Sequence, residues 1–220
     1  MIVAIVQARV TSTRLPKKVF LKYNGSSVLE HIYTRLIQSK YLNKVIFAIP
    51  SNKKNMILRN YLKKKEIPFM VGPELNVLKR FYKVCNILNP KIIIRITADC
   101  PLIDFKLMDN MIKKFLEKKE FDFLSNSITR TYPDGLDVEI FKKEVLTKTF
   151  KKVKDNFDKE HVTPYMIRNF KCLEYKNKID LSHKRWTLDT KKDHKKINQI
   201  FKKFKEKNFF SWKEILNHGF

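Results

Sequence analysis

Long apolar runs are missing from this chain: nothing in its 220 residues approaches the roughly 20 that a membrane-spanning helix requires. The N-terminus runs straight into a strand-like stretch, with neither a basic n-region nor a small-residue cleavage site, so no secretory signal is expected. Cysteine is sparse as well. Cys85, Cys100 and Cys172 are odd in number, far apart and without metal-ligand rhythm, which predicts reduced thiols in a cytoplasmic protein. Repeats, low-complexity tracts and flexible linkers are absent, so residues 1–220 read as one domain, long enough for a single layered α/β core. Glycine is scarce at 4 residues, while Lys, Asn, Ile and Phe abound, the bias of an AT-rich genome. Acidic residues are outnumbered, 22 against 47 Lys and Arg, leaving a net charge of +25. That excess alone admits nucleic acid, an anionic membrane surface or polyanionic small substrates. The lysines are spread over almost every helical pattern instead of one stripe, so most of the charge reads as compositional drift.

What is present is an alternation of strands and helices. The apolar run Ile2-Val3-Ala4-Ile5-Val6 reads as a buried strand, and further strand-like runs lie at 44–49, 68–71, 91–97 and 121–124. Between them, apolar residues recur at three- and four-residue steps: Val28, Leu29, Ile32 and Leu36; Val77, Leu78, Phe81 and Cys85; Leu107, Met108, Met111 and Ile112. Each set marks one face of a helix. Ser27 with Glu30 three residues on predicts a capping box that opens the first helix. Such alternation implies α/β architecture, a mostly parallel sheet covered on both faces. From about Thr129 the rhythm changes. A turn at Tyr132-Pro133-Asp134-Gly135, a strand over 136–141, a helix over 161–169 and a short strand over 185–189 are expected. Residues 129–180 read as an insertion covering one end of the sheet.

The most informative stretch is QARVTSTRLPKK, residues 7–18, which follows the first strand. Arg9, Arg14, Lys17 and Lys18 place four cations in ten residues. A strand ending in such a loop and feeding a helix is how α/β domains build an anion site at the carboxyl edge of a sheet; the alternative is a solvated basic surface loop. Asp99 ends the strand over 91–97 and is followed by Cys100-Pro101. It is placed either to hold the Mg²⁺ that accompanies a triphosphate or to cap the next turn. Asp189 ends the short run Arg185-Trp186-Thr187-Leu188-Asp189, where it is a second metal ligand or an N-cap. For a second substrate, Arg95 is a candidate partner of an anionic group, and Asp134, Asp137 and Glu139 are candidate hydroxyl binders. Asp137 and Glu139 are expected on one strand face at i, i+2. His161 is a candidate to orient that substrate or take its proton, or is an ordinary structural hydrogen-bonder. No Ser-His-Asp or Cys-His arrangement stands out.

QARVTSTRLPKK, RITADCPLID, YPDGLDVEIF, EHVTPY and RWTLDTKKD occur in that order along the chain. In this combination the sequence resembles the cytidylyltransferases of the CMP-sugar synthetase superfamily, in particular the spore-coat polysaccharide type. These are relatives of the enzymes that activate 3-deoxy-manno-octulosonate and acylneuraminate. The resemblance runs from Ile2 to about Asp193. It implies a three-layer α/β/α, Rossmann-like nucleotide-diphospho-sugar transferase fold. It also implies Mg²⁺-dependent transfer of CMP from CTP to an acidic sugar, sugar phosphate or related acceptor, with release of pyrophosphate, for a surface polysaccharide. By position, Arg9, Arg14 and Lys18 would bind the CTP phosphates, Gln7 and Ala8 would face base or ribose, and Asp99 and Asp189 would hold the metal; Arg14, Lys18 and Asp99 would carry the catalysis. The partners implied are CTP and an anionic or polyhydroxylated small molecule, with no nucleic acid and no membrane, in a chain that can form a homodimer. The family pattern often has Gly where this chain has Lys17 and a small residue where it has Thr11; Gly there permits positive φ or close backbone approach to phosphate. A glycosyltransferase of the same fold would carry an Asp-x-Asp motif, and here Asp99-Cys100-Pro101 stands instead. A non-catalytic nucleic-acid binder would leave the paired aspartates unexplained.

Overall fold

The structure, a computed structural model, describes residues 1–207 and 209–220. Strand β1 (Ile2–Gln7) is followed by a short β2 (Lys22–Tyr23) and β3 (Ser26–Ser27), then helix α1 (Val28–Leu36). The chain alternates through β4 (Lys44–Pro50), α2 (Met56–Lys64), β5 (Phe69–Gly72), α3 (Val77–Leu88), β6 (Ile92–Thr97) and α4 (Phe105–Glu117). It continues with β7 (Phe123–Ser125), β8 (Glu139–Lys142), α5 (Lys143–Lys152), α6 (Asn156–His161), α7 (Pro164–Asn169), β9 (Cys172–Glu174), α8 (Lys191–Lys203) and α9 (Trp212–Asn217). The expected capping box is present: the Ser27 hydroxyl accepts from the Glu30 amide while the Glu30 carboxylate accepts from the Ser27 amide.

Seven strands form one sheet in the order β5-β4-β1-β6-β8-β7-β9. β8 runs antiparallel to both neighbours, and the remaining pairs are parallel. Alternate residues of β1 feed opposite cores: Ala4 and Val6 join α1, α2, α4, α8 and α9, while Val3 and Ile5 join α3, α5 and α7. The result is the three-layer α/β/α arrangement. Strand order reverses between β1 and β6, which pair in register so that Gln7 lies opposite Thr97. Open α/β sheets bind ligands at such a switch point, outside the carboxyl ends of the strands.

Three local expectations are corrected. The strand expected over 136–141 is confined to Glu139–Lys142. Before it, the Asn126 side chain donates to the Leu136 carbonyl (2.8 Å) and accepts from the Val138 amide (2.9 Å). A side chain, not a neighbouring strand, satisfies that backbone, so Asp137 precedes the strand and does not share its face with Glu139. The helix expected over 161–169 begins only at Pro164, as α7; His161 is instead the last residue of α6, and Val162 between the two has φ 70°. Pro164 at the first turn of α7 supplies no amide for continuation. The segment 185–189 is not a strand: it makes one bridge, Arg185 to Asp134. Its next backbone bond, from the Leu188 amide, goes to Asp99 (2.8 Å), so it spans two different loops and pairs with neither as a ladder.

Candidate active site

The basic loop is braced on one flank by polar side chains. The Val10 amide donates to Asn55 Oδ1 (2.9 Å), and the Thr11 hydroxyl donates to Glu74 (2.7 Å). Glu74 in turn holds Asn52, which accepts from Asn55 Nδ2 (2.8 Å). The Thr11 hydroxyl thus has a structural partner. Lys17 adopts φ 56°, ψ 23°, the left-handed conformation. Glycine adopts this conformation freely, whereas a Cβ makes it costly for other residues. The turn aims Lys18, the first residue of a short 3₁₀ helix over Lys18–Phe20, back toward the ends of β1 and β6.

Lys18 meets both aspartates. Its Nζ lies 2.6 Å from Asp189 Oδ1 and 3.3 Å from Asp99 Oδ2. Arg14 reaches the other Asp189 oxygen at 3.1 Å. The two carboxylates, 90 residues apart in sequence, therefore face one cation. Neither aspartate is a helix cap. Thr190 caps α8 in a capping box with Asp193, and Asp104 caps α4. The main chain of Asp99 is pinned to the second segment, its carbonyl accepting from the Leu188 amide and from the Thr187 hydroxyl at 3.2 Å. Burial pushes the Asp99 carboxyl upward, but Lys18 and the Thr97 hydroxyl outweigh it and hold the acid below the usual carboxylate range. The group is ionised throughout the neutral range.

Two adjoining clefts open here. The first, about 250 Å³, is bounded by the loop residues Thr11 to Arg14 with Lys18, Asp99 and Asp189. The second, about 260 Å³, continues from it across Gln7, Ala8 and Arg9 toward Val77, Arg80, Glu160 and His161. Arg9 pairs with Glu160 at 3.4 Å. His161, exposed at the end of α6, lies against Phe157 with the rings tilted at 48° and their centroids 4.4 Å apart.

The remaining acceptor candidates are engaged in ion pairs and line neither cleft. Arg95 pairs with Glu139 and donates to Gln7 Oε1 (3.0 Å), while Glu139 accepts from Thr163 (2.9 Å). Asp137 takes Arg130 in a two-point pair. Asp134 takes Arg185, whose guanidinium also meets Asp193 at 3.1 Å and Asp189 at 3.4 Å. Sequence reasoning passed over Arg185, although its i, i+4 spacing to Asp189 was a signal. It also passed over Asn52, Asn55, Glu74 and Arg80, for which no local signal exists. Gly135 is required where the turn meets the aspartate segment: at φ 108°, an added Cβ would lie 2.5 Å from backbone atoms of Trp186 and Thr187.

Among the described residues, no helix is long and apolar enough to cross a membrane. The cytidylyltransferase family profile matches residues 3–215. An uncharacterized protein of Methanocaldococcus jannaschii is 35% identical over 92% of this chain and 84% of its own length. The spore coat polysaccharide biosynthesis protein SpsF of Bacillus subtilis is 30% identical over 98% of this chain and 92% of its own. A cytidylyltransferase structure from Leptospira borgpetersenii superposes with a TM-score of 0.92 at 31% identity, covering 99% of this chain and 92% of that one. With two carboxylates and a basic loop gathered at the switch point of this sheet, and with matches that span its length, the chain belongs to the cytidylyltransferase family, the CTP-dependent nucleotidyltransferases.

Proposed function

We propose that this chain transfers CMP from CTP to an acidic sugar, sugar phosphate or related polyhydroxylated acceptor, in a Mg²⁺-dependent reaction that releases pyrophosphate and supplies a surface-polysaccharide precursor. The observation that carries the reading is Lys18 bridging Asp99 and Asp189 beside Arg14. Among the described residues no cluster of three or more His, Cys, Asp or Glu forms a metal cage. Two carboxylates suit an ion that draws its other ligands from phosphate oxygens and water, as Mg²⁺ does. Bound there, it would neutralise charge on the phosphates.

The chain's own residues account for the rest. Arg9, Arg14 and Lys18, which line the first cleft together, bind the triphosphate, and Gln7 and Ala8 at the end of β1 take the nucleoside side. An acceptor oxygen attacks the α-phosphorus in line, losing its proton, and the bond to the bridging oxygen breaks to release pyrophosphate. Negative charge grows on that bridging oxygen, where Lys18 and Arg14 stabilise it more in the transition state than in the ground state. No protein nucleophile is needed; positioning and charge do the work. His161 is the acceptor residue of this reading, at the far wall of the second cleft. Of the other acceptor candidates, Arg95 and Glu139 act behind this cleft: Arg95 donates to Gln7, and Glu139 accepts from Thr163, two residues from His161. Asp134 and Asp137 are held in pairs with Arg185 and Arg130.

The test is pyrophosphate release from CTP with a panel of sugar acids, sugar phosphates and neutral sugars, with and without Mg²⁺. Release that requires both Mg²⁺ and a charged or polyhydroxylated acceptor is expected. Equal release in the presence of chelator would refute the metal assignment.

A further inference from the structure

A third cleft, about 450 Å³ in volume, opens between the starts of α4 and α9 and shares no lining residue with the two described above. One buried carboxylate builds it. Asp104, 1% exposed, accepts from the Leu107 amide of α4 (2.9 Å) and from the Trp212 amide of α9 (2.8 Å). A single side chain thus pins two helix starts together. Lys106 and Lys213 stand next to those pinned amides, and both line the cleft. Neither has a carboxylate within ion-pair distance among the described residues. The Lys106 ammonium lies 5.6 Å from the ring centre of Phe209, and that of Lys213 lies 5.9 Å from Trp212. Two like charges held at one opening repel each other, and an anionic ligand relieves that repulsion.

The wall between them is aromatic. Tyr132 lies nearly parallel to Tyr175, with ring centroids 6.1 Å apart, and meets Trp212 edge-on at 5.5 Å. Tyr132 is only 6% exposed and lines the cleft, yet its hydroxyl makes no hydrogen bond among the described residues. A phenol buried to that degree ordinarily has a partner, and here the cleft is the side from which one can come. Burial, with Tyr175 beside it, pushes the Tyr132 phenol up to about 12, so it remains a donor at neutral pH. Asn177 offers the complementary group. Its side-chain amino group is spent on the Ile179 carbonyl (2.9 Å), which leaves the amide oxygen as an acceptor at the cleft.

Neutral donors and acceptors beside an aromatic wall suit the hydroxyls of a sugar ring, which both donate and accept. Two ammonium groups at one end suit a single phosphate or carboxylate. We propose that this third cleft binds a monosaccharide bearing one phosphate or carboxylate group, at a site separate from the catalytic clefts. Lys106 and Lys213 hold the anionic group, and Tyr132 and Asn177 hold ring hydroxyls.

The experiment is calorimetric titration of the full chain with glucose 6-phosphate, glucuronate, glucose and inorganic phosphate. Wild type, Tyr132→Phe and the double variant Lys106→Gln with Lys213→Gln are compared, with melting curves for each. Wild type should bind a charged sugar about tenfold or more tightly than glucose or phosphate. Tyr132→Phe removes a hydroxyl that nothing in the protein uses, so the unliganded melting temperature should hold while sugar affinity falls about three- to tenfold. The double variant should lose about tenfold or more. Failure of both charged sugars to bind overturns the proposal. Inorganic phosphate bound as tightly as glucose 6-phosphate would reduce the cleft to an anion contact and overturn it as well. A double variant with wild-type affinity would place the sugar in the catalytic clefts, which also refutes it. Both lysines are exposed, and their replacement leaves Asp104 and its two amides in place, so the variant keeps the frame of the cleft.

Discussion

Asp99→Asn isolates the charge of one carboxylate with little change of shape. The main-chain carbonyl of residue 99, which ties the β6 loop to Thr187 and Leu188, is untouched by the change. Lys18 keeps its shorter contact, 2.6 Å to Asp189, so no buried ammonium is stranded. The longer Asp99 contact, at 3.3 Å with a side chain 28% exposed, contributes on the order of 1 kcal/mol or less, as partly exposed pairs do. Unliganded stability should therefore fall by no more than about 1 kcal/mol, or about 2–4 °C in Tm for a chain of this size. The effect on Mg²⁺-assisted nucleotide binding should be larger. At a CTP concentration of one hundred times Kd, binding stabilises the native state by about 2.7 kcal/mol. That corresponds to a rise of roughly 5–11 °C. A tenfold weaker complex loses about 1.4 kcal/mol of this, roughly 3–6 °C. The assay is thermal melting of wild type and variant with CTP, each with Mg²⁺ and with chelator. Wild type should show a CTP shift that Mg²⁺ enlarges; the variant should lose the enlargement and retain part of the metal-free shift. A variant with the full Mg²⁺-dependent shift would remove Asp99 from the metal site. In turnover, the same change should lower kcat/KM by about 10²–10³-fold, the range for removing one preorganised charge-stabilising group.

Lys17→Gly relieves the left-handed backbone at φ 56°, worth about 1–2 kcal/mol, against about 0.5–1 kcal/mol of glycine entropy. The urea midpoint should rise modestly with unchanged slope and activity; a lower midpoint would refute the strain argument. Glu30→Gln removes a carboxylate held by Ser27, Tyr61 and Lys65. Burial raises the Glu30 pKa, but the contacts led by Lys65 outweigh it and bring it to about 2. A depressed folded pKa contributes stability at pH above the ordinary carboxylate value, and that stability fades as pH falls toward 2. The variant should lose about 1–2 kcal/mol at pH 7 and converge on wild type in acid denaturation curves. A constant difference across the acid range would contradict the assignment.

What the amino-acid order determined by itself was local or periodic. The three- and four-residue apolar steps specified α1, α3 and α4, the Ser27–Glu30 pair marked where α1 begins, and apolar β1 carried its basic loop. These rest on propensity, side-chain periodicity and capping, which act within a few residues. The site was legible in part for the same reason: Arg14, Lys18, Asp99 and Asp189 sit at strand and loop ends that pattern alone can place. Whether those aspartates cap helices or face one another was not legible, because the answer is a contact across 90 residues of sequence. Tertiary structure decided it by making Thr190 and Asp104 the caps and leaving both carboxylates to Lys18. It also decided the fate of Arg95, Asp137 and Glu139, whose partners Glu139, Arg130 and Thr163 come from neighbouring strands and loops. Asn126 standing in for a strand partner and Arg80 buried beside Gly72 are of the same kind. Such pairings depend on which segments the sheet order brings together, and the register of β6 against β8 is set by packing over the whole domain.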